Sequence, residues 1–240
     1  MKKNVRIIHE GARSMATTIS KGYKGLGMNG FIATWYAKNT QKNMEAYRQS
    51  AQLVADKVSG GVTILELAPG PGYLSIELAK MGNYHIVGLD ISPTFVEIAH
   101  AKAREAAVDI DFRQGNASHM PLADDLFDFL VCSAAFKNFS EPVQALDEMF
   151  RVLKPDGKAL IIDLRPDASI EEIETHIRKD MALTGINFLL TKWAFQSMLL
   201  KRAYPKDKII QFAYQSTFKT CTIDEDGIGM NMYLEKPGAD

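Results

Sequence analysis

The sequence predicts an α/β fold, a parallel sheet covered by helices on both faces, and three observations carry that prediction. Short β-rich apolar runs near 62–67, 85–90, 109–114, 127–133 and 158–164 alternate with stretches of helical patterning. Ser92-Pro93 supplies a helix cap followed by proline at the first helical position between two of these runs. Thr63-Ile-Leu-Glu-Leu-Ala-Pro-Gly-Pro-Gly-Tyr-Leu-Ser-Ile-Glu-Leu-Ala-Lys80 joins a buried-type strand to a glycine turn and then to an amphipathic helix.

Taken along the chain, the elements follow from local chemistry. Gly22-Tyr-Lys-Gly-Leu-Gly-Met-Asn-Gly30 is too rich in glycine for regular structure and is expected to be mobile, able to close over a ligand. Met44, Tyr47, Ala51, Val54 and Val58 recur at three- and four-residue steps, which predicts a packed helix ending before Gly60-Gly61. Val62, Ile64, Leu65 and Leu67 form the first strand, Gly70 and Gly72 turn the backbone, and Leu74, Ile76, Leu78 and Ala79 resume a helix. After Ser92-Pro93, Val96, Ala99, Ala103 and Ala106 share one helical face. Ser140 and Pro142 open another helix with Val143, Leu146, Phe150 and Leu153 inward, and Pro155-Asp156-Gly157 ends it. Residues 165–216 are expected to be mostly helical, and a closing hairpin is expected over 217–234 around Asp224-Glu-Asp-Gly227.

Composition bounds the function. With 240 residues, 46% hydrophobic and 24% charged, the chain suits one soluble globular unit. The 28 basic and 29 acidic side chains leave a net charge of −1, no footprint for a nucleic-acid backbone. Lys2 and Lys3 precede no signal-type apolar stretch, and no apolar run approaches the ~20 residues of a membrane span, so a cytoplasmic protein is expected. Cys132 and Cys221 lie far apart and read as reduced thiols. No cluster of His, Cys and carboxylates has ligand spacing, so no metal is expected.

The turn after the first strand admits two ligand classes. A dinucleotide-binding G-x-G-x-x-G/A turn wants a third small residue where this chain has Ser75, and several amide donors for a diphosphate. Pro69 and Pro71 remove two such donors. Glu66 at the strand end repels a phosphate and suits a ligand carrying an ammonium and a sulfonium.

Glu66-Leu-Ala-Pro-Gly-Pro-Gly72 resembles the first motif of class I S-adenosylmethionine-dependent methyltransferases. The resemblance continues in family order through Val87-Gly-Leu-Asp-Ile-Ser92, Gln114-Gly-Asn-Ala117, Phe127-Asp-Phe-Leu-Val-Cys-Ser133 and Arg151-Val-Leu-Lys-Pro-Asp-Gly-Lys-Ala-Leu-Ile-Ile162. The segment Ser133-Ala-Ala-Phe-Lys-Asn-Phe139 resembles that of the ubiquinone and menaquinone biosynthesis methyltransferases and their small-molecule relatives, and the N-P-P-Y or D-P-P-Y signature of enzymes acting on amide or exocyclic nitrogens is absent. The resemblance implies a Rossmann-like, seven-stranded, mostly parallel sheet with one antiparallel strand. It also implies an N-terminal helical extension over 1–60, a cofactor-binding core over 62–165 and a helical lid over 166–216 inserted between strands five and six.

It implies S-adenosylmethionine as cofactor and a small-molecule methyl acceptor. Asp90 is expected on the ribose hydroxyls, its alternative being a helix cap; Glu66 is expected near the methionine ammonium, its alternative a solvated strand end. Asn116, where the family often has an acid, is expected at the adenine edge, with a turn asparagine as the alternative. Ala68 replaces the first glycine of the usual G-x-G-x-G. With Gly70, Gly72, Ile91, Ala117 and Ser133 these complete the expected cofactor site. Tyr36, His119, Lys137, Asn138 and Arg165 are the substrate candidates, each also readable as a solvated side chain or, for Arg165, a surface ion pair. In the lid, Ile173, Ile177, Met181, Phe188, Leu189, Trp193, Met198, Leu199, Tyr204 and Phe212 are expected mainly as core, with a pocket roof, which Trp35 and Tyr36 join, or a dimer face as the alternative. A non-catalytic cofactor-binding partner or sensor subunit and, more weakly, a nicotinamide-dependent oxidoreductase are the competing functions.

Overall fold

A computed structural model describes residues 22–24 and 27–238. The expectations for Lys2 and Lys3, and those for Gly25 and Leu26 within the glycine-rich segment, lie outside the described residues. The strands are β1 Thr63–Leu67, β2 His85–Asp90, β3 Asp111–Gln114, β4 Phe127–Ser133, β5 Leu153–Leu164, β6 Thr222–Asp226 and β7 Gly229–Glu235. They form a seven-stranded sheet in the order β3-β2-β1-β4-β5-β7-β6. Strands β1 to β5 pair in parallel, whereas β7 runs antiparallel to both β5 and β6. The chain winds outward from β1 through β2 to β3, then returns to place β4 on the other side of β1. That reversal opens a crevice at the carboxyl ends of β1 and β4, where α/β sheets bind ligands.

Period-two alternation distributes the core to both faces. Leu65, Leu67 and Leu130 point to one side, with Leu146, Met149, Ile209 and Phe212. Ile64, Val131 and Leu160 point to the other, with Ala51, Val54, Leu74, Leu78, Ala99 and Phe112. The covering helices are α1 Gly30–Thr40, α2 Met44–Ala55, α3 Tyr73–Met81, α4 Pro93–Glu105, α5 Pro142–Val152, α6 Ile170–Lys179, α7 Gly185–Ala194 and α8 Lys206–Gln215. The Ser92 side chain caps α4 by accepting from the Phe95 amide. Ser169 and Glu172 form a capping box on α6.

Three local expectations are corrected. The hairpin turns at Gly227-Ile228, because Asp224 to Asp226 belong to β6 and pair with β7. Helix α5 is preceded by Glu141 rather than capped by Ser140; Leu146 and Leu153 are buried and Val143 and Phe150 pack against the same core as expected, joined by Ala145, Met149 and Val152. Leu153 already belongs to β5, so Pro155-Asp156-Gly157 lies within that strand's span, with Asp156 at φ 64°.

The lid divides. Ile173, Ile177 and Phe188 are buried in a separate cluster with Phe195, Leu200 and Ile228, and Phe212 joins the main core. Leu189, Trp193, Met198 and Leu199 are exposed, contrary to the core expectation. A π-helical turn, Phe195–Leu199, follows α7 directly.

The turn after β1 stores a contrast. Gly72 has φ 79°, and a Cβ there would lie 2.7 Å from Phe112. Ala68 has φ 54°, a left-handed conformation that costs an L-residue about 1–2 kcal/mol. Gly72→Ala is therefore expected to destabilise the fold by about 2–4 kcal/mol. Ala68→Gly is expected to stabilise it by up to about 1 kcal/mol, the relief of strain being offset in part by glycine's chain entropy. Urea unfolding of both variants checks the two signs.

Candidate cofactor site

Asp90 ends β2 at the crevice and is 5% exposed. Its Oδ2 accepts the Gly70 amide at 2.9 Å and its Oδ1 the Ser92 amide at 2.8 Å. Burial raises its pKa, and the two amide bonds oppose that rise. A carboxylate offers about four acceptor positions, so capacity remains for hydroxyls arriving from the cleft.

Glu66, fourth of the five residues of β1, is 3% exposed. Its Oε2 accepts the Ser75 amide at 3.0 Å and also the Ser75 hydroxyl. Ser75 lies in the first turn of α3, so the carboxylate sits at that helix's positive end. Burial nevertheless pushes its pKa up to about 7, with the Ser75 bonds working against the rise. Ser75, which the dinucleotide pattern would replace by a small residue, is here the partner that holds Glu66.

These carboxylates border a cleft of about 180 Å³ that is also lined by Ala68, Gly70, Ile91, Asn116, Ala117 and Ser133. Asn116 is buried and accepts the Ser118 amide through Oδ1 at 2.9 Å, the geometry of an Asx turn at the cleft wall. Tyr36 and Asn138, two of the substrate candidates, line the same cleft. Among the described residues no lysine, arginine or histidine lines it.

The remaining expectations separate from the site. Gly72 does not line the cleft; the position of its absent Cβ faces Phe112 and Ala99 in the core. His119 is exposed and lies electrostatically beside Glu148. Lys137 is neither solvated nor in the cleft: its Nζ contacts Asp163 at 2.5 Å and the Ala134 carbonyl at 2.7 Å, with both charged side chains under 10% exposed. Arg165 ties the lid to the hairpin through Glu172, Glu225 and the Gly227 carbonyl, the ion-pair alternative.

The glycine-rich segment expected to close over a ligand does reach the cleft, but sequence reasoning named none of its lining residues, nor Tyr47. Gly22, Tyr23, Met28 and Tyr47 line the cleft together with Phe95 and Phe139. Tyr23 forms an isolated bridge with Phe139, and Lys24 donates its amide to the Asn138 carbonyl at 2.8 Å. A Cβ at Gly22 would lie 2.4 Å from the Asn116 side chain, so only glycine lets this segment lie against the cleft wall. Tyr36 meets Phe95 edge-to-face at 5.8 Å. Burial is the largest cause raising the pKa of Tyr23, Tyr36 and Tyr47, which keeps them neutral phenols. The only signal for Tyr47 was a tyrosine on an otherwise aliphatic helical face.

Among the described residues the cleft thus presents two buried carboxylates, neutral phenols and no cation. It fits a ligand with ribose hydroxyls and positive charge, and no described residue lining it carries a positive charge to neutralise a diphosphate.

The same fold occurs in a Methanococcus maripaludis protein assigned to the S-adenosyl-L-methionine-dependent methyltransferases, at TM-score 0.71 and 19% identity over 90% of this chain and 97% of that one. It also occurs in the [4+2]-cyclase SpnF, at TM-score 0.55 and 19% identity over 97% of this chain and 94% of that one. Residues 65–161 match the methyltransferase domain family. The chain is similar to that family over about two fifths of its length. It is 36% identical over 107 residues to the demethylmenaquinone methyltransferase of Deinococcus radiodurans, covering 44% of each chain. Over 106 residues it is 38% identical to the ubiquinone/menaquinone biosynthesis C-methyltransferase UbiE of Bdellovibrio bacteriovorus, covering 43% of this chain and 44% of that one. The matched region thus spans less than half the length of these relatives.

Removing one partner of the Lys137–Asp163 pair leaves a buried charge uncompensated. Lys137→Met is expected to cost about 3–5 kcal/mol of stability, measured by urea unfolding. A change under about 1 kcal/mol would show that the pair is relaxed by solvent.

Proposed function

We propose that this chain transfers a methyl group from S-adenosylmethionine to a small-molecule acceptor. The observation that carries the reading is a cleft lined by no cation among the described residues, with Glu66 and Asp90 buried in its wall. Asp90, already fixed by the Gly70 and Ser92 amides, receives the ribose hydroxyls. Glu66 faces the positively charged methionine end, Asn116 and Ala117 the adenine, and Ala68, Gly70, Ile91 and Ser133 supply close walls.

The cofactor supplies an activated methyl group when bound. The chain's own residues bind, orient and exclude water, with rate gained chiefly through alignment. A second cavity shares Ser133 and Ala134 with the cofactor cleft and is also lined by Gln49, Leu53, Ile162 and Asn231. This is the proposed acceptor space. Ring C-methylation of a quinone precursor, after the names of the curated relatives, is the first acceptor chemistry to assay. The proposed location is the cytoplasm: two free cysteines suit a reducing compartment, and among the described residues no helix is long and apolar enough to cross a membrane.

A non-catalytic cofactor-binding subunit draws support from the lack of a histidine or lysine in the cleft lining among the described residues. Release of S-adenosylhomocysteine from a panel of small acceptors tests this; turnover supports the enzyme, and cofactor binding without turnover on any acceptor supports the subunit. Asp90→Ala is expected to weaken S-adenosylmethionine binding about 100-fold or more by calorimetry while unfolding stays cooperative.

The Glu66 pKa gives a pH signature. Its folded value of about 7 lies above the ordinary 4.5, so the free cleft retains this proton up to near neutrality. A bound cation favours the ionised carboxylate. Affinity is therefore expected to strengthen from about pH 5.5 to about pH 7, a range in which the cofactor's α-amino group stays charged. Glu66→Gln is expected to flatten that slope; an unchanged slope in the variant contradicts the assignment.

A further inference from the structure

Both tryptophans of the chain are exposed, Trp35 on α1 at 58% and Trp193 on α7 at 60%. Neither is alone. Phe31 and Ile32 are exposed with Trp35, while Ile186, Leu189, Leu190 and Trp193 form an exposed stripe at helical spacing along α7. Met198 and Leu199 extend it into the π-helical turn. The opposite side of this segment is anchored in the lid core through Phe188, Phe195 and Leu200. Exposed apolar surface of this kind marks an interaction site.

Charge identifies the occupant. The chain as a whole is nearly neutral, yet it has no acidic residue between Glu10 and Glu45 and none between Asp180 and Asp207. Those two acid-free stretches contain five and four basic residues respectively, and they are the stretches that present the exposed apolar groups. Lys192 and Lys206 pair with Glu174 and Glu225. Lys38, Lys201 and Arg202 are exposed and have no acidic partner among the described residues. The stretches approach each other at the cleft, where the Lys24 ammonium lies 4.6 Å from the centre of the Tyr204 ring and Arg202 shares a small cavity with Lys24 and Asn138. Asn138 also lines the cofactor cleft.

We propose that α1 and the α7–Arg202 segment dock this protein onto an anionic lipid surface, with the exposed apolar side chains entering the headgroup boundary and the unpaired cations meeting lipid phosphates. Apolar burial and attraction to anionic lipid act together in such interfacial helices. Tryptophan is a side chain suited to that boundary. A second copy of the chain would bury the apolar stripe but bring like charges together.

The tryptophans make the test direct. The full chain is mixed with vesicles of phosphatidylcholine containing about one quarter phosphatidylglycerol, and with pure phosphatidylcholine vesicles. Co-sedimentation and a blue shift of tryptophan emission are expected with the anionic vesicles, and at least about tenfold weaker binding with the neutral ones or in about 0.5 M salt. The exposed pair Leu189→Ser/Leu190→Ser is expected to reduce vesicle binding about tenfold with circular dichroism unchanged. Lys201→Glu/Arg202→Glu supplies an independent arm that leaves the apolar stripe in place. No binding to anionic vesicles, or binding indifferent to both variant pairs, overturns the proposal. So does a lipid-free dimer in analytical ultracentrifugation whose tryptophan emission is already blue-shifted.

Discussion

Two buried carboxylates grip the backbone of one turn, and the remaining site is arranged around them. Asp90 holds Gly70 from β2, and Glu66 holds Ser75 from β1, so the bend between strand and helix is tied to the neighbouring strand and back to its own through charge-assisted hydrogen bonds. Burying these groups is unfavourable, and protein amides and a hydroxyl compensate only in part, as the raised pKa of each shows. A ligand that brings positive charge or hydroxyl donors completes the compensation. The strain of Ala68 at φ 54° persists in the same bend because its surroundings over-determine it.

The rest of the fold serves that turn. The reversal of strand order opens the crevice, α3 and α4 carry the turn and the cap, and the chain after β4 returns to form the opposite wall. That wall is held from behind: Ala134, at φ 56°, has its carbonyl bonded by Lys137, whose charge is met by Asp163 at the end of β5. The wall separates two cavities that share Ser133 and Ala134. A donor on one side and an acceptor on the other would meet there, which is the alignment that methyl transfer requires.

Much of this was legible in the sequence because it is local. Strand, glycine turn and amphipathic helix occur within one stretch of chain, and Ser92-Pro93 announces α4 unaided. Glu66, Asp90 and Asn116 could be placed because each ends or follows a strand at the crevice. The glycine-rich segment could be expected over the ligand, but which of its residues form the N-terminal wall could not be read the same way. Tyr23 and Met28 lie in a glycine-rich segment without periodicity, and only contacts with Phe139, Asn138 and Asn116 bring that segment to the cleft. Lys137 misleads for a related reason, since its partner Asp163 is on another strand. The lid's exposed apolar residues have the same helical spacing as core, and periodicity alone does not say which face finds a neighbour. The SpnF likeness adds a chemical lesson: this architecture also supports a cyclase, so activity has to be argued from the cleft rather than from the sheet.

The most direct measurement is a crystal structure of the chain grown with S-adenosylmethionine. The account predicts the ribose hydroxyls on the Asp90 carboxylate, the adenine beside Asn116 and the methionine end beside Glu66, with the sulfonium facing the Ser133–Ala134 wall. Density for the cofactor outside the crevice, or in it with the ribose turned away from Asp90, would contradict the account at its centre.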